Sequence, residues 1–193
     1  LDLSISHVWS RQLGPRPASF HWSPSIRVGL GASATEPVYA RFSGEAAYNQ
    51  TLNGRSSLHF RVHGGRATSN TPMFELLSLG GENSVRGFRA DDAIGRSYWS
   101  AQNEFWWRFL PNLGVNKMLV TLERNLHIAP FFDVGQVEDV AVTRSLPGVR
   151  RGAGAGFRFP FRGVVFALDW AYGWGDGAFG KGRGRVHFNF LFP

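Results

Sequence analysis

The chain has 193 residues, 24 of them glycine and none cysteine, with 15% aromatic residues and a formal net charge of +7. The lack of cysteine excludes a disulfide framework and a thiolate metal site, and no run of 18 apolar residues supplies a membrane-spanning helix. Abundant glycine and aromatics with only 43% hydrophobic residues suit a β-barrel with an apolar lipid face and a polar lumen.

Period-two alternation predicts about nine strands. Leu1 to about Ser10 sets Leu1, Leu3, Ile5 and Trp9 against Asp2, Ser4 and Ser6. After a Gly14-Pro-Arg-Pro17 turn, Phe20, Trp22, Ile26, Val28 and Leu30 oppose His21, Ser23, Ser25, Arg27 and Gly29. Pro24 inside this run predicts an edge strand or a bulge. Ala34 to Pro37 turns the chain. Val38, Ala40, Phe42, Ala46 and Tyr48 then alternate with Tyr39, Arg41, Ser43, Glu45 and Asn49. Asn53-Gly54 is a strong hairpin signal. Beyond it Leu58, Phe60 and Val62 oppose His59, Arg61 and His63.

Alternation then stops, from about Ala67 to Gly95. A loop this long in an otherwise tight β-protein is usually functional or disordered. It holds Gly80, Gly81 and Gly87, where the backbone can take positive φ, and one arginine among apolar neighbours, Val85-Arg86-Gly87-Phe88. Strands resume with Tyr98 to Phe109, where Phe105, Trp107 and Phe109 oppose Glu104, Trp106 and Arg108. A strand from Met118 to about Gly135 sets Ile128, Pro130, Phe132 and Val134 against His127, Ala129, Phe131, Asp133 and Gly135; a loop is expected over Val137 to Val149. Gly152, Gly154, Gly156 and Arg158 then share a face opposite Ala153, Ala155, Phe157, Phe159 and Phe161. After a tight turn at Arg162-Gly163, Val164, Phe166, Leu168, Trp170, Tyr172 and Trp174 form the clearest lipid-facing stripe. The last strand sets Val186, Phe188, Phe190 and Phe192 against Arg185, His187 and Asn189.

A soluble sandwich would also alternate. In such a fold the outer face is usually charged, whereas here the second face carries about one charge per strand beside Gly and Ala. Trp9, Trp99, Trp170, Tyr172 and Trp174 near strand ends suit an interfacial girdle. The positive charge admits a nucleic-acid binder or a barrel with a basic lumen. Arg27, Arg41, Arg61, Arg108, Arg158 and Arg185 recur singly at alternate strand positions, which favours the lumen; Lys181-Gly-Arg-Gly-Arg185 is the one short cluster of nucleic-acid type. Leu1-Asp-Leu-Ser4 does not read as a secretory leader, so a mature form or a trimmed piece is expected.

At Leu79-Gly80-Gly81, Ser84 and Val85-Arg86-Gly87-Phe88 the chain resembles the superfamily of outer-membrane assembly and secretion barrels, which includes BamA, TamA and the two-partner secretion transporters. Further motifs match in order: Asn103-Glu104 followed by aromatics and Arg108, then Phe131-Phe-Asp133-Val-Gly135. A glycine-rich strand follows from Gly152 to Pro160, with Gly154 and Gly156, then Asp169-Trp-Ala171, then the terminal Phe188, Phe190 and Phe192 as an assembly signal. Pro193 after the last Phe departs from the usual aromatic end. The resemblance covers roughly residues 56 to 193. It implies an all-β antiparallel transmembrane barrel in the bacterial outer membrane, with residues 1–193 as its C-terminal barrel domain. The long loop, about 67–95, folds into the lumen, where Arg86 meets Asp133 and Glu104. A guanidinium fork matches carboxylates in a way that lysine does not.

The family layout of sixteen strands, with the loop between strands eleven and twelve, makes this chain about nine of sixteen. With the last strand ending in the periplasm, nine strands place Leu1 on the cell exterior. Missing N-terminal strands or further copies of the chain would then complete the sheet edges. With eight strands a small barrel could close alone or oligomerise. The function implied is insertion or export of polypeptides, with substrate strands adding at a weak seam between the first and last strands; Gly182 and Gly184 would weaken pairing there. Expected partners are outer-membrane lipid and substrate polypeptides. The resemblance also implies upstream polypeptide-transport-associated domains, none of which lies in these residues. The alternatives are a passive pore or structural barrel, and a basic nucleic-acid-binding β-protein, the least favoured. His7, His21, His59, His63, His127 and His187 show no metal or triad spacing, and no serine sits in a nucleophile elbow. A non-enzyme without cofactor or metal is expected, with His59 and His63 as a lumen pair.

Overall fold

The computed structural model describes residues 2–6, 9–12, 18–29, 38–110, 125–143, 148–162, 164–175 and 183–191. Within them the alternating segments pair side by side as one antiparallel sheet. The strands are β1 (Asp2–Ser6), β2 (Trp9–Gln12), β3 (Ala18–Gly29), β4 (Tyr39–Asn53), β5 (Ser56–Ala67), β6 (Leu77–Leu79), β7 (Ala93–Trp107), β8 (His127–Thr143), β9 (Arg150–Phe161), β10 (Val164–Trp174) and β11 (Arg183–Leu191). Their order is β1-β3-β4-β5-β7-β8-β9-β10-β11, with β2 beside β3 and β6 beside β7. β1 and β2 hold one register against β3, from Asp2 opposite Gly29 to Gln12 opposite Ser19. β6 continues the line of β5 along β7. The sheet therefore has nine strand positions, and β1 is not paired with β11 among the described residues.

The burial pattern is inverted relative to a water-soluble protein. Trp170 and Phe188 are each 59% exposed, and Phe105, Trp107, Phe132, Phe157, Phe166 and Leu168 lie open on the same outer face. The largest fully buried side chains include Arg150, Arg158 and Asp133. Buried charge and open aromatics are what a wall between lipid and a polar lumen requires. The strands from β3 to β10 have 11 residues or more, apart from the short β6, enough to cross a bilayer when tilted.

Five sequence expectations are corrected. The first strand holds one register against β3 as far as Gln12, past the expected end near Ser10. Pro24 is on neither an edge strand nor a bulge: β3 lies between β4 and the β1–β2 pair, and Pro24 opposes Gly44 with no shift of register between β3 and β4. The hairpin turn is Gly54-Arg55, with Asn53 still in β4; its Oδ1 accepts from the Arg55 N–H at 2.8 Å. The register shift lies just before it, between Thr51 and Asn53. β8 begins at His127 and runs to Thr143, through much of the expected 137–149 loop, because Val137 to Thr143 find partners on the early part of β7. A one-residue slip in that pairing falls between Ile94 and Gly95, near Asp139 with φ 49°. Residues 118–124 lie outside the described residues. Finally, the long loop is not featureless: residues 68–92 contain a 3₁₀ turn (Met73–Glu75) and β6.

The loop carries its own small core. Leu79, Val85, Phe88, Ala93 and Val137 are buried together with Tyr98 against them. Contacts from β6 and the loop's second half thus seat the tip on the inner face of β7 and β8.

Candidate functional site: a loop arginine in a charged socket

The loop reverses at its glycines. Gly80 and Gly81 take φ of 121° and 87°, a region that L side chains avoid. The Gly80 N–H donates to Ser84 Oγ at 2.7 Å, closing the turn. Gln102 of β7 donates from Nε2 to the Glu82 carbonyl at 2.9 Å. The chain is thereby directed so that Arg86, only 2% exposed, points into the wall.

Arg86 grips Asp133 of β8 with both edges of its fork: Nε donates to Oδ2 and Nη2 to Oδ1, each at 2.7 Å. Its backbone N–H donates to the same Oδ2 at 3.0 Å. Nη1 donates to Glu104 Oε1 of β7 and to Asp169 Oδ2 of β10, the latter at 3.2 Å. The guanidinium lies 3.5 Å over the Phe131 ring, a cation–π contact strengthened by desolvation. Burial opposes the charge on Arg86. Its hydrogen bonding to Asp133 and the fields of Asp133, Glu104 and Asp169 outweigh that and raise its pKa above the ordinary guanidinium value.

A second guanidinium completes the socket. Arg158 of β9, 1% exposed, donates from Nε to Glu104 Oε2 at 3.1 Å and from Nη2 to Oε1 at 2.8 Å. It also donates from Nη1 and Nη2 to the two Asp169 oxygens at 2.5 and 3.0 Å. Trp106 Nε1 donates to Glu104 Oε2 at 2.7 Å. Two guanidiniums thus face three carboxylates, two minus three leaving a net charge of −1. Bidentate and charge-assisted bonds of this kind are the strong class.

Glycines let the loop backbone lie flat on the wall. A Cβ on Gly152 would strike the Arg86 carbonyl, and one on Gly173 would sit 2.8 Å from the Gly87 carbonyl carbon. Gly87 itself has φ 92°. Gly154 leaves room for the Phe131 ring, Gly156 for the Arg158–Asp169 pair, and Gly135 for Leu79. The Gly87 N–H donates to His187 Nε2 of β11 at 3.2 Å. Farther along the loop, Asp92 Oδ2 accepts from Arg150 Nε at 3.0 Å. At its start Glu75 lies between Arg27 and Arg41, 3.0 and 3.6 Å away.

The structure brings Val85, Arg86, Gly87 and Phe88 together with Glu104, Phe131, Asp133 and Asp169, over Gly135, Gly154 and Gly156. Gly80 and Gly81 shape the turn behind them. Phe188 lies on the outer face, Phe190 opposes Phe166 by backbone pairing, and Phe192 lies outside the described residues. Sequence reading did not join Asp169, Arg158, Arg150, Asp92 or His187 to the loop, nor Gly152 or Gly173. All the strand residues among them, Arg150 included, have inward parity with a named neighbour, which was the available signal. The two histidines share the inner face as expected, and they take separate partners there. His59 stacks on Trp106 at 4.1 Å and bonds Asn49 Oδ1 and Ser57 Oγ, each at 2.8 Å. His63 lies 3.9 Å from Glu45. Four residues along a strand are too far apart for the two rings to meet.

A family model described as haemolysin secretion/activation protein ShlB/FhaC/HecB matches residues 4–159. That span takes in the early strands, which lie before the motifs. Among solved structures the chain is similar to the crystal structure of BamA from Haemophilus ducreyi lacking POTRA domains 1–3. The TM-score is 0.67 at 15% identity, covering 98% of this chain and 42% of that one. No curated protein matches.

Proposed function

Since this chain belongs to the haemolysin secretion/activation family ShlB/FhaC/HecB, as a β-barrel of the bacterial outer membrane with the fold seen in BamA, we propose that it exports or inserts polypeptides there and that its long loop is a lock on the lumen wall. We read residues 1–193 as the C-terminal part of such a barrel, acting without catalytic chemistry. The observation that carries the reading is Arg86, buried on a loop yet bonded to carboxylates of three strands. A loop held only by apolar packing would need no such socket. A charged one in a polar lumen can open, because water can take over each partner as the loop withdraws.

Substrate polypeptides and outer-membrane lipid are the partners this implies. A nucleic-acid surface fits less well. Arg27, Arg41, Arg61, Arg86, Arg150 and Arg158 all lie against carboxylates of the chain itself.

Arg86→Ala tests the lock. Removing one partner from a buried ionic network costs about 3–5 kcal/mol, here charged mainly to the seating of the loop. The folded, heat-modifiable band is expected to persist in the outer membrane while secretion of the cognate polypeptide falls. Arg86→Lys is expected to restore little, because a point charge cannot hold both Asp133 oxygens. Undiminished secretion in Arg86→Ala would overturn the lock. A passive pore would instead show raised ion conductance with no polypeptide passenger.

A further inference from the structure

Arg86 and Gly87 are consecutive, and they hold consecutive strands. Arg86 reaches Asp169 on β10. Gly87 donates its N–H to His187 on β11, and Asp169 and His187 are themselves cross-strand neighbours. Gly87 takes a positive φ and its backbone lies close against Gly173 of β10, while its N–H reaches β11. His187 accepts through Nε2, so it does so as a neutral imidazole with its proton on Nδ1. Among the described residues, β11 pairs with β10 alone. Its other edge is the kind of row of backbone groups on which an extended polypeptide can pair.

We propose that His187 is a positioning residue that ties the tip of the loop to β11, so that seating Arg86 also holds β11 against β10. Withdrawing the loop then loosens β11 and readies its edge away from β10 for an incoming strand. The idea rests on the lock described above and adds to it a single named connection between lumen and edge. The connection is a backbone donor on the loop and a side-chain acceptor on the strand. It therefore fails when the acceptor is lost, even with the Arg86 socket complete.

The test is amide hydrogen exchange of β11 and of the 84–88 segment in the full-length protein in detergent, with the heat-modifiable band as the check on folding. His187→Leu keeps the bulk and removes the acceptor. It is expected to speed exchange in both segments about fivefold, the factor that a typical hydrogen bond supplies. His187→Gln places an oxygen at a similar reach and is expected to match the parent; His187→Asn, which is shorter, is expected to behave like Leu. If His187→Leu gives no folded band, the Gln and Asn pair carries the same comparison. In an Arg86→Ala background, where the loop is already released, His187→Leu is expected to add nothing. Unchanged exchange in His187→Leu, or an equal effect with and without Arg86, would overturn the proposal and leave His187 as a wall residue. If Arg86→Ala leaves the loop as protected as in the parent, the lock itself fails, and that result is read separately from the His187 arms.

Discussion

Arg86 can satisfy three carboxylates on three strands because a guanidinium offers five donors on a rigid plane. Those carboxylates would repel one another in an empty socket, and Arg158 is what keeps two of them in place. It binds Glu104 and Asp169 with both oxygens of each, from a strand that lies between theirs. Arg158→Gln is expected to destabilise the folded barrel by about 3–5 kcal/mol, because it leaves buried carboxylates short of a cation. The measurement is the temperature at which the folded band is lost on heating. An unchanged temperature would show that Arg86 alone holds the socket. Arg86 stood out in the sequence as an arginine among apolar loop residues, and Asp133 and Glu104 as carboxylates of inward parity; that they meet was implied by the family resemblance. Arg158 was legible as an inward residue but not as a partner. Its reach to Glu104 crosses the whole of β8, and that depends on sheet register.

At the scale of elements, the loop and the β9–β10 hairpin are one fitted surface. Gly152 and Gly173 remove side chains where the Arg86-Gly87 backbone presses on the wall. Gly152→Ala is expected to lift the tip from β9 at a cost of about 1–3 kcal/mol, the usual scale of overpacking. The expected readout is faster protease cleavage within residues 80–92, with the folded band retained. Equal cleavage would mean that the wall yields instead. The glycine-rich run from Gly152 to Gly156 was visible, but its purpose was not: alternation shows which face a glycine is on, and only packing shows what lies against that face. The extent of β8 was also misread. Val137 to Thr143 look like loop by themselves and become strand because the early part of β7 offers them hydrogen bonds.

For the whole molecule, the decisive property is that charge is inside and aromatics are outside. Leu168, opposite Phe157 and Phe188 in the middle of the outer face, tests it. Leu168→Arg would place a cation in lipid at about 2–4 kcal/mol near the midplane, and the yield of folded barrel in vesicles is expected to drop. A water-facing sheet would accept that substitution without loss. By itself the sequence determined the inward and outward faces of nearly every strand and the loop that leaves the wall, and its motifs carried the resemblance that implied the fold class. Faces and loop follow from local rules, a period of two and the conformational freedom of glycine. Only the tertiary structure decided which inward charges meet. Glu104, Asp133, Arg158 and Asp169 come from four different strands, and their distances depend on register and sheet curvature. The same holds for the bond from Gly87 to His187, which joins residues 100 apart in sequence.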